Sequence, residues 1–365
     1  MNICIVAGAR PNFVKVAPIL RAIDKAHAGG HNVESRLVYA GREDDSSLEQ
    51  SLFDDLQMRR PDVYLGVDCE SLNELTGRVM GEFERYLQNN PTDVVIVVDD
   101  LASTMAAAIV TKKQGIRLAH LVAGTRSFDI SMPKEINRLV IDGLSDLLFT
   151  AGEGASSTVT REGVKMSRIY QVGNILIDSL RFNYQRFVRP ATLQHLGLAD
   201  KDYLVFTLNR KALIDNEDNL REMLKSMLES SAGMHIIAPL RGKARAVVSR
   251  LLSTINASLS TFHIVEPMGY LEFGYLTSHA RGIVTDSGNV AEEATFNGVP
   301  CATLNSYTEH IETVRTGTNV LVGEDAQRLG EAVSDLVAGR WKQGNIPDRW
   351  DGRSAERIVQ ILIGN

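Results

Sequence analysis

Apolar positions along the chain fall into short β-branched runs that alternate with longer stretches of helical period. In the first half the runs are NICIVAG (2–8), VESRLVYAG (33–41), DVVIVVDD (93–100), RLAHLVAG (117–124) and DLLFTAG (146–152). Between them, apolar residues recur three and four apart, as in PNFVKVAPILRAIDKA (11–26) and LNELTGRVMGEFERYLQN (72–89), the period of a helix with one buried face. Several runs are apolar on both faces, as strands of a helix-covered parallel sheet must be. Such alternation with right-handed crossovers predicts a doubly wound α/β layer. The polar stretch 181–202 has no strand signal and room for a short helix. The pattern then restarts with YLVFTLN (203–209), GMHIIAPL (233–240), TFHIVEP (261–267), ARGIVTD (280–286) and PCATLNS (300–306), and closes on the helical SAERIVQILIG (354–364). The expected fold is α/β, with two Rossmann-like doubly wound domains facing a cleft.

Length agrees: 365 residues exceed what one core usually organises. A formal charge of −6 and the lack of any long basic run give no footprint for nucleic acid. No apolar segment reaches ~18 residues, so no membrane span is expected. MNICIVAGARPN lacks the basic leader of a signal peptide and reads as a first strand. Cys4, Cys69 and Cys301 are odd in number and widely spaced, which suits buried thiols in a reducing cytoplasm. The histidines form no zinc pattern, and neither a metal nor a cofactor is expected.

In sheets of this kind, ligands bind outside the carboxyl ends of the strands. Those ends carry Gly8-Ala9-Arg10-Pro11, Gly41-Arg42-Glu43, Asp99-Asp100, Gly124-Thr125-Arg126, Asn209-Arg210-Lys211, Leu240-Arg241 and Asp286-Ser287-Gly288. AGARPNFVK (7–15) reads as a glycine turn whose open amides, with Arg10 and Lys15, can hold an anion; the bland alternative is a plain βα turn. At GIVTDSGNVAEEATFNGVP (282–300), Ser287 and Gly288 open a helix suited to a diphosphate, and an acid such as Glu293 can accept both hydroxyls of a ribose. Ordinary capping by Ser287 is the competing reading. Of Asp99 and Asp100, one reads as a base and the other as N-cap of the next helix; both merely capping is the alternative. Phe273 can stack on a base or pack in the core.

The strings GARPNFVKVAPIL, MPKEINRL, VGNILIDSL, MGYLEF, TDSGNVAEEATFNGVPCATL, TGTNVLVG and WDGRSAERIV resemble, in this order, the non-hydrolysing UDP-N-acetylglucosamine 2-epimerase family. The resemblance implies a GT-B-like pair of domains. The first spans 1–180 and is completed by the C-terminal segment 353–365; the second, UDP-binding, spans 181–352. It implies inversion of carbon 2 of a UDP-acetamido sugar by elimination and re-addition of UDP. It also implies a cytoplasmic homodimer working in cell-surface polysaccharide biosynthesis. Asp100 and Glu135 match the family's acids, with Asp99 a candidate third catalytic carboxylate. Arg10, Lys15, Arg138, Arg210, Phe273, Ser287, Gly288, Glu293, Thr308 and Glu309 match its substrate contacts in whole or in part.

The departures gather at the same strand ends. Val122, in HLVAGTR, replaces a family glutamate; Asn209 replaces a histidine, as does Arg241; Asp99 replaces a glycine; and Arg42-Glu43 departs from a glutamine-histidine pair. Valine moves no proton, and asparagine can only hydrogen-bond. Two further functions therefore compete with an active epimerase. One is a catalytically impaired paralogue that binds UDP-sugar as a regulatory subunit, paired with an active epimerase. The other is a glycosyltransferase on the shared fold.

Overall fold

The structure, a computed structural model, describes residues 1–255 and 260–364. Asn365, at the end of the expected C-terminal segment, lies outside the described residues. Two compact units are present: Met1–Phe182 with Asp348–Asn365, and Asn183–Pro347.

In the first unit the strands are β1 (Asn2–Ala7), β2 (Glu34–Tyr39), β3 (Val63–Tyr64), β4 (Val94–Val98), β5 (Arg117–Ala123), β6 (Leu147–Thr150) and β7 (Ile169–Gln171). They form one sheet in the order β3-β2-β1-β4-β5-β6-β7, with every pairing parallel. β4 is VVIVV, buried at all five positions, because helices cover both faces of the sheet. Replacing Ile96, fully buried, by Ala would cost about 2–5 kcal/mol. The alanine-rich helix Ala102–Lys113 packs close to β1: a Cβ on Gly8 would lie 2.0 Å from the Ser103 hydroxyl. A side chain at that strand end would force Ser103 to move.

The chain returns to this unit at its end. Trp350, buried, donates from Nε1 to the Ala151 carbonyl at 3.0 Å. The helix Ser354–Gly364 buries Ile358, Val359 and Leu362, spaced to share one face. Asp178 accepts from its first amides, Ser354 N at 3.1 Å and Ala355 N at 2.8 Å. Burial lifts the Asp178 carboxyl to about 6 despite those bonds.

The second unit holds β8 (Tyr203–Thr207), β9 (His235–Pro239), β10 (Phe262–Val265), β11 (Gly282–Thr285), β12 (Cys301–Thr303) and β13 (Asn319–Leu321). Their order is β10-β9-β8-β11-β12-β13, again parallel throughout. The polar stretch 181–202 contains the short helix Ala191–His195 and a 3₁₀ turn. Three strands escape the apolar pattern: β3, β7 and β13 have two or three residues each. Cys4, Cys69 and Cys301 are free thiols.

Candidate functional site

Each sheet reverses its strand order once, between β1 and β4 in the first unit and between β8 and β11 in the second. The crevice outside such a switch point is where open α/β sheets bind ligands. Gly8–Pro11 and Asp99-Asp100 follow β1 and β4; Asn209-Arg210 and Asp286–Gly288 follow β8 and β11. Topology alone thus brings most of the expected residues to two places, one per unit.

In the first unit, the helix Pro133–Leu144 buries Glu135, Asn137, Arg138 and Asp142 on its inner face, a spacing of three and four that suits one side of a helix. Arg138 bridges two carboxylates. Its Nε and NH2 reach Asp100 Oδ2 at 2.8 and 2.6 Å, and NH1 reaches Glu135 Oε2 at 3.0 Å. Lys134 Nζ stands 3.5 Å from Asp100 Oδ1, and Asn137 donates to the Asp100 carbonyl at 2.8 Å. Burial pushes the Asp100 carboxyl up, but Lys134 and Arg138 outweigh it and hold the group below its ordinary value. Glu135 behaves likewise: against burial, the amides of Ser127 and Phe128, the Ser127 hydroxyl and Arg138 keep it low. Both groups are proton acceptors at neutral pH.

Asp99 faces a different cluster. Lys15 Nζ lies 2.6 Å from its Oδ1 and Asn12 Nδ2 donates to its Oδ2 at 2.7 Å. Three expectations are corrected here. Neither Asp99 nor Asp100 caps the helix Ala102–Lys113: its N-cap is Leu101, whose amide donates to Thr104 Oγ1 at 3.0 Å. Lys15 and Arg138 draw the two carboxylates elsewhere. Lys15 is not an open cation, being 7% exposed and paired with Asp99. The glycine turn after β1 is not an open amide nest, because Gly8 N and Ala9 N already donate to Asn12 Oδ1 at 2.8 and 3.1 Å. Arg10, half-buried, remains beside that turn.

Asp99 and Val122 share a backbone feature that the sequence hides. Both are left-handed, with φ of 61° and 71°. Aspartate tolerates that region better than most residues, whereas for a β-branched residue it is a true outlier. The β5–β6 register shifts between Leu121 and Ala123, which leaves Val122 at a bulge of the kind that re-aims side chains next to active sites. Beneath the bulge runs a buried chain that the motifs did not reveal. His120 Nε2 meets the Asp99 carbonyl at 3.1 Å, and His120 Nδ1 meets Asp142 Oδ1 at 2.6 Å. Asp142 Oδ2 takes Gly124 N at 3.1 Å and Arg126 NH1 at 2.7 Å, and Arg126 continues to Glu162. The polar spacing 135, 138, 142 was the available signal for Asp142.

In the second unit, Asp286 closes β11 at 8% exposure. Its Oδ2 accepts Asn209 N at 2.7 Å and Arg210 N at 2.6 Å, while its buried Oδ1 has no partner among the described residues. Ser287 is the N-cap of Gly288–Asn297, but its side chain accepts nothing from the helix's first amides. The capping reading is thereby corrected. Glu293 is buried, and burial together with neighbouring Glu292 raises it to about 8. Glu292 Oε1 meets His310 Nε2 at 3.2 Å. The Arg210 guanidinium is held by Asn305 and Glu324, and the Asn209 side chain is exposed. Thr308 Oγ1 takes the His310 amide at 3.2 Å, next to the exposed Glu309. Arg241 is exposed at the N-terminus of Gly242–Leu252. Phe273 packs half-buried against the unit's core.

Two doubly wound sheets carry carboxylates at one switch point and, at the other, a helix start without a side-chain cap that suits an anionic group. The particular family follows from comparison. The family model described as UDP-N-acetylglucosamine 2-epimerase matches residues 25–363, and the chain belongs to that family. It is 34% identical over 386 residues to the UDP-N-acetylglucosamine 2-epimerase of Methanocaldococcus jannaschii, covering 99% of both chains. It is 31% identical over 366 residues to the UDP-2,3-diacetamido-2,3-dideoxy-D-glucuronate 2-epimerase of Pseudomonas aeruginosa, again covering 99% of both. The crystal structure of the Methanocaldococcus jannaschii enzyme in complex with UDP-GlcNAc and UDP matches the whole of both chains with a TM-score of 0.84 and 33% identity. The Neisseria meningitidis enzyme bound to UDP-GlcNAc matches with a TM-score of 0.86 and 25% identity, also over the whole of both chains. No helix among the described residues is long and apolar enough to cross a membrane.

Proposed function

We propose that the chain is a UDP-acetamido-sugar 2-epimerase of the UDP-N-acetylglucosamine type. The observation that carries this is Arg138 bridging Asp100 and Glu135, two carboxylates kept ionised on one guanidinium. One carboxylate takes the carbon 2 proton while the carbon 1–oxygen bond to UDP breaks, leaving a carbon 1–carbon 2 double bond. A proton then returns to carbon 2 on the other face, and a UDP oxygen re-forms the bond to carbon 1. Asp99, held by Lys15, is the third carboxylate available for this exchange. In the second unit, the first amides of Gly288–Asn297 suit the diphosphate. Glu293 suits the ribose hydroxyls: as a neutral carboxyl it can donate one hydrogen bond and accept another.

The test is incubation with UDP-N-acetylglucosamine in deuterated water, followed by NMR at carbon 2. Deuterium at that carbon with a second epimer supports the reading. Bound substrate without deuterium supports the second one, a silent UDP-sugar binder, which Val122 and Asn209 favour because neither can move a proton. From the family resemblance we expect a homodimer, which a solution mass of twice 40.1 kDa would support.

A further inference from the structure

The segment between β5 and the helix Pro133–Leu144 has two halves of opposite character. Its start is welded down: Thr125 and Arg126 are buried, with Arg126 tied to Asp142 and Glu162. Its tip is open. Phe128 is 73% exposed and Ile130 65% exposed, among the largest apolar exposures in the chain. Phe128 is also left-handed, with φ of 61°, which is a strained choice for a bulky side chain. Such strain persists where surrounding contacts enforce it, and the enforcing contact is Glu135. One oxygen of Glu135 takes the Ser127 amide at 2.9 Å and its hydroxyl at 3.0 Å; the other takes the Phe128 amide at 3.0 Å. Asp129 then ties the far end through the Ser131 amide at 3.0 Å and hydroxyl at 2.6 Å. A short, internally braced strap thus carries an aromatic ring into solvent while sitting on a candidate catalytic carboxylate.

We propose that residues 127–131 form a strap that closes on the sugar half of the bound nucleotide sugar, with Phe128 packing on the pyranose ring and Glu135 as the latch. The proposal rests on the proposed epimerase-type ligand and adds to it a contact residue and a coupling. An aromatic face suits the C–H face of a pyranose, and covering it returns the Phe128 ring from water. Closure draws the Ser127 and Phe128 amides off Glu135, which frees that carboxylate to exchange a proton. Ligand seating and proton transfer are then linked through one side chain.

The test uses the full chain with Phe128→Trp, read by fluorescence against the parent protein, whose own tryptophans are Trp341 and Trp350. Calorimetry runs in parallel with UDP and with UDP-N-acetylglucosamine. Expected is a shift in the emission of the introduced indole with the nucleotide sugar and none with UDP, both ligands binding. Phe128→Ala should weaken UDP-N-acetylglucosamine about 3- to 10-fold, the worth of one aromatic contact, and leave UDP unchanged. Binding of both ligands without a shift of that emission, or an equal shift with UDP alone, overturns the strap. Failure of both ligands to bind overturns the ligand reading itself, and the strap with it.

Discussion

The two strand-end sites differ in how completely they satisfy themselves. At the β1–β4 switch point of the first unit, Asp99, Asp100, Glu135 and Asp142 are each matched by cations or amides at hydrogen-bond distance. At the β8–β11 switch point of the second, Asp286 Oδ1 is unpaired among the described residues, the helix start has no side-chain cap and Glu293 is pushed towards its neutral form. A site whose carboxylates are held by cations and amides keeps its charges at defined places, which suits it to moving protons there. A helix start whose first amides take no side-chain cap is suited to gripping a diphosphate. On the proposed reading, the first unit carries the chemistry and the second the nucleotide recognition.

The largest expected effect breaks the contrast on the chemical side. Asp100→Asn should lower carbon 2 exchange about 10²- to 10⁴-fold while leaving UDP affinity, measured by calorimetry, nearly unchanged. A variant that lost both would show that the two roles are not separable. On the recognition side, Asp286→Ala removes the acceptor of two backbone amides, a change worth about 1–3 kcal/mol. UDP binding should weaken about ten-fold or more, because the Asn209-Arg210 turn loses its anchor.

Val122→Gly sharpens the account of the bulge. Relief of about 1–3 kcal/mol of left-handed strain exceeds the ~0.5–1 kcal/mol that glycine costs in backbone entropy. A urea unfolding series should show a stability gain of about 1 kcal/mol. A pH-dependent effect is expected for Glu293→Gln. The folded-state value of about 8 lies above the ordinary 4.5, so between them the folded protein keeps a proton that the unfolded chain releases. Stability therefore falls as pH rises through that window. The variant should match the parent below the window and be the more stable of the two above it, in unfolding curves taken across the range.

Much of this was legible in the sequence. β4 and β8 announce themselves as runs of five and four apolar residues, and Asp100 and Ser287-Gly288 follow the carboxyl ends of β4 and β11. β3, β7 and β13 were not legible, because two or three residues show no period. The pairing of Lys15 with Asp99, and of His120 with Asp142, joins residues far apart in sequence with no local pattern to mark them. The left-handed backbone at Asp99 and Val122 was hidden for another reason: the residue that usually advertises it, glycine, is absent at both positions. Aspartate at 99 accommodates the geometry and gains Lys15; valine at 122 bears the strain without a hydrogen-bonding group to offset it.

The central claim is that the saturated site of the first unit still moves a proton although position 122 is valine. The direct measurement is the rate of deuterium incorporation at carbon 2 of saturating UDP-N-acetylglucosamine, for the parent and Asp100→Asn side by side. Steady incorporation is expected for the parent, and at least a ~100-fold slower rate for the variant. A parent protein that binds the nucleotide sugar yet incorporates no deuterium would contradict it.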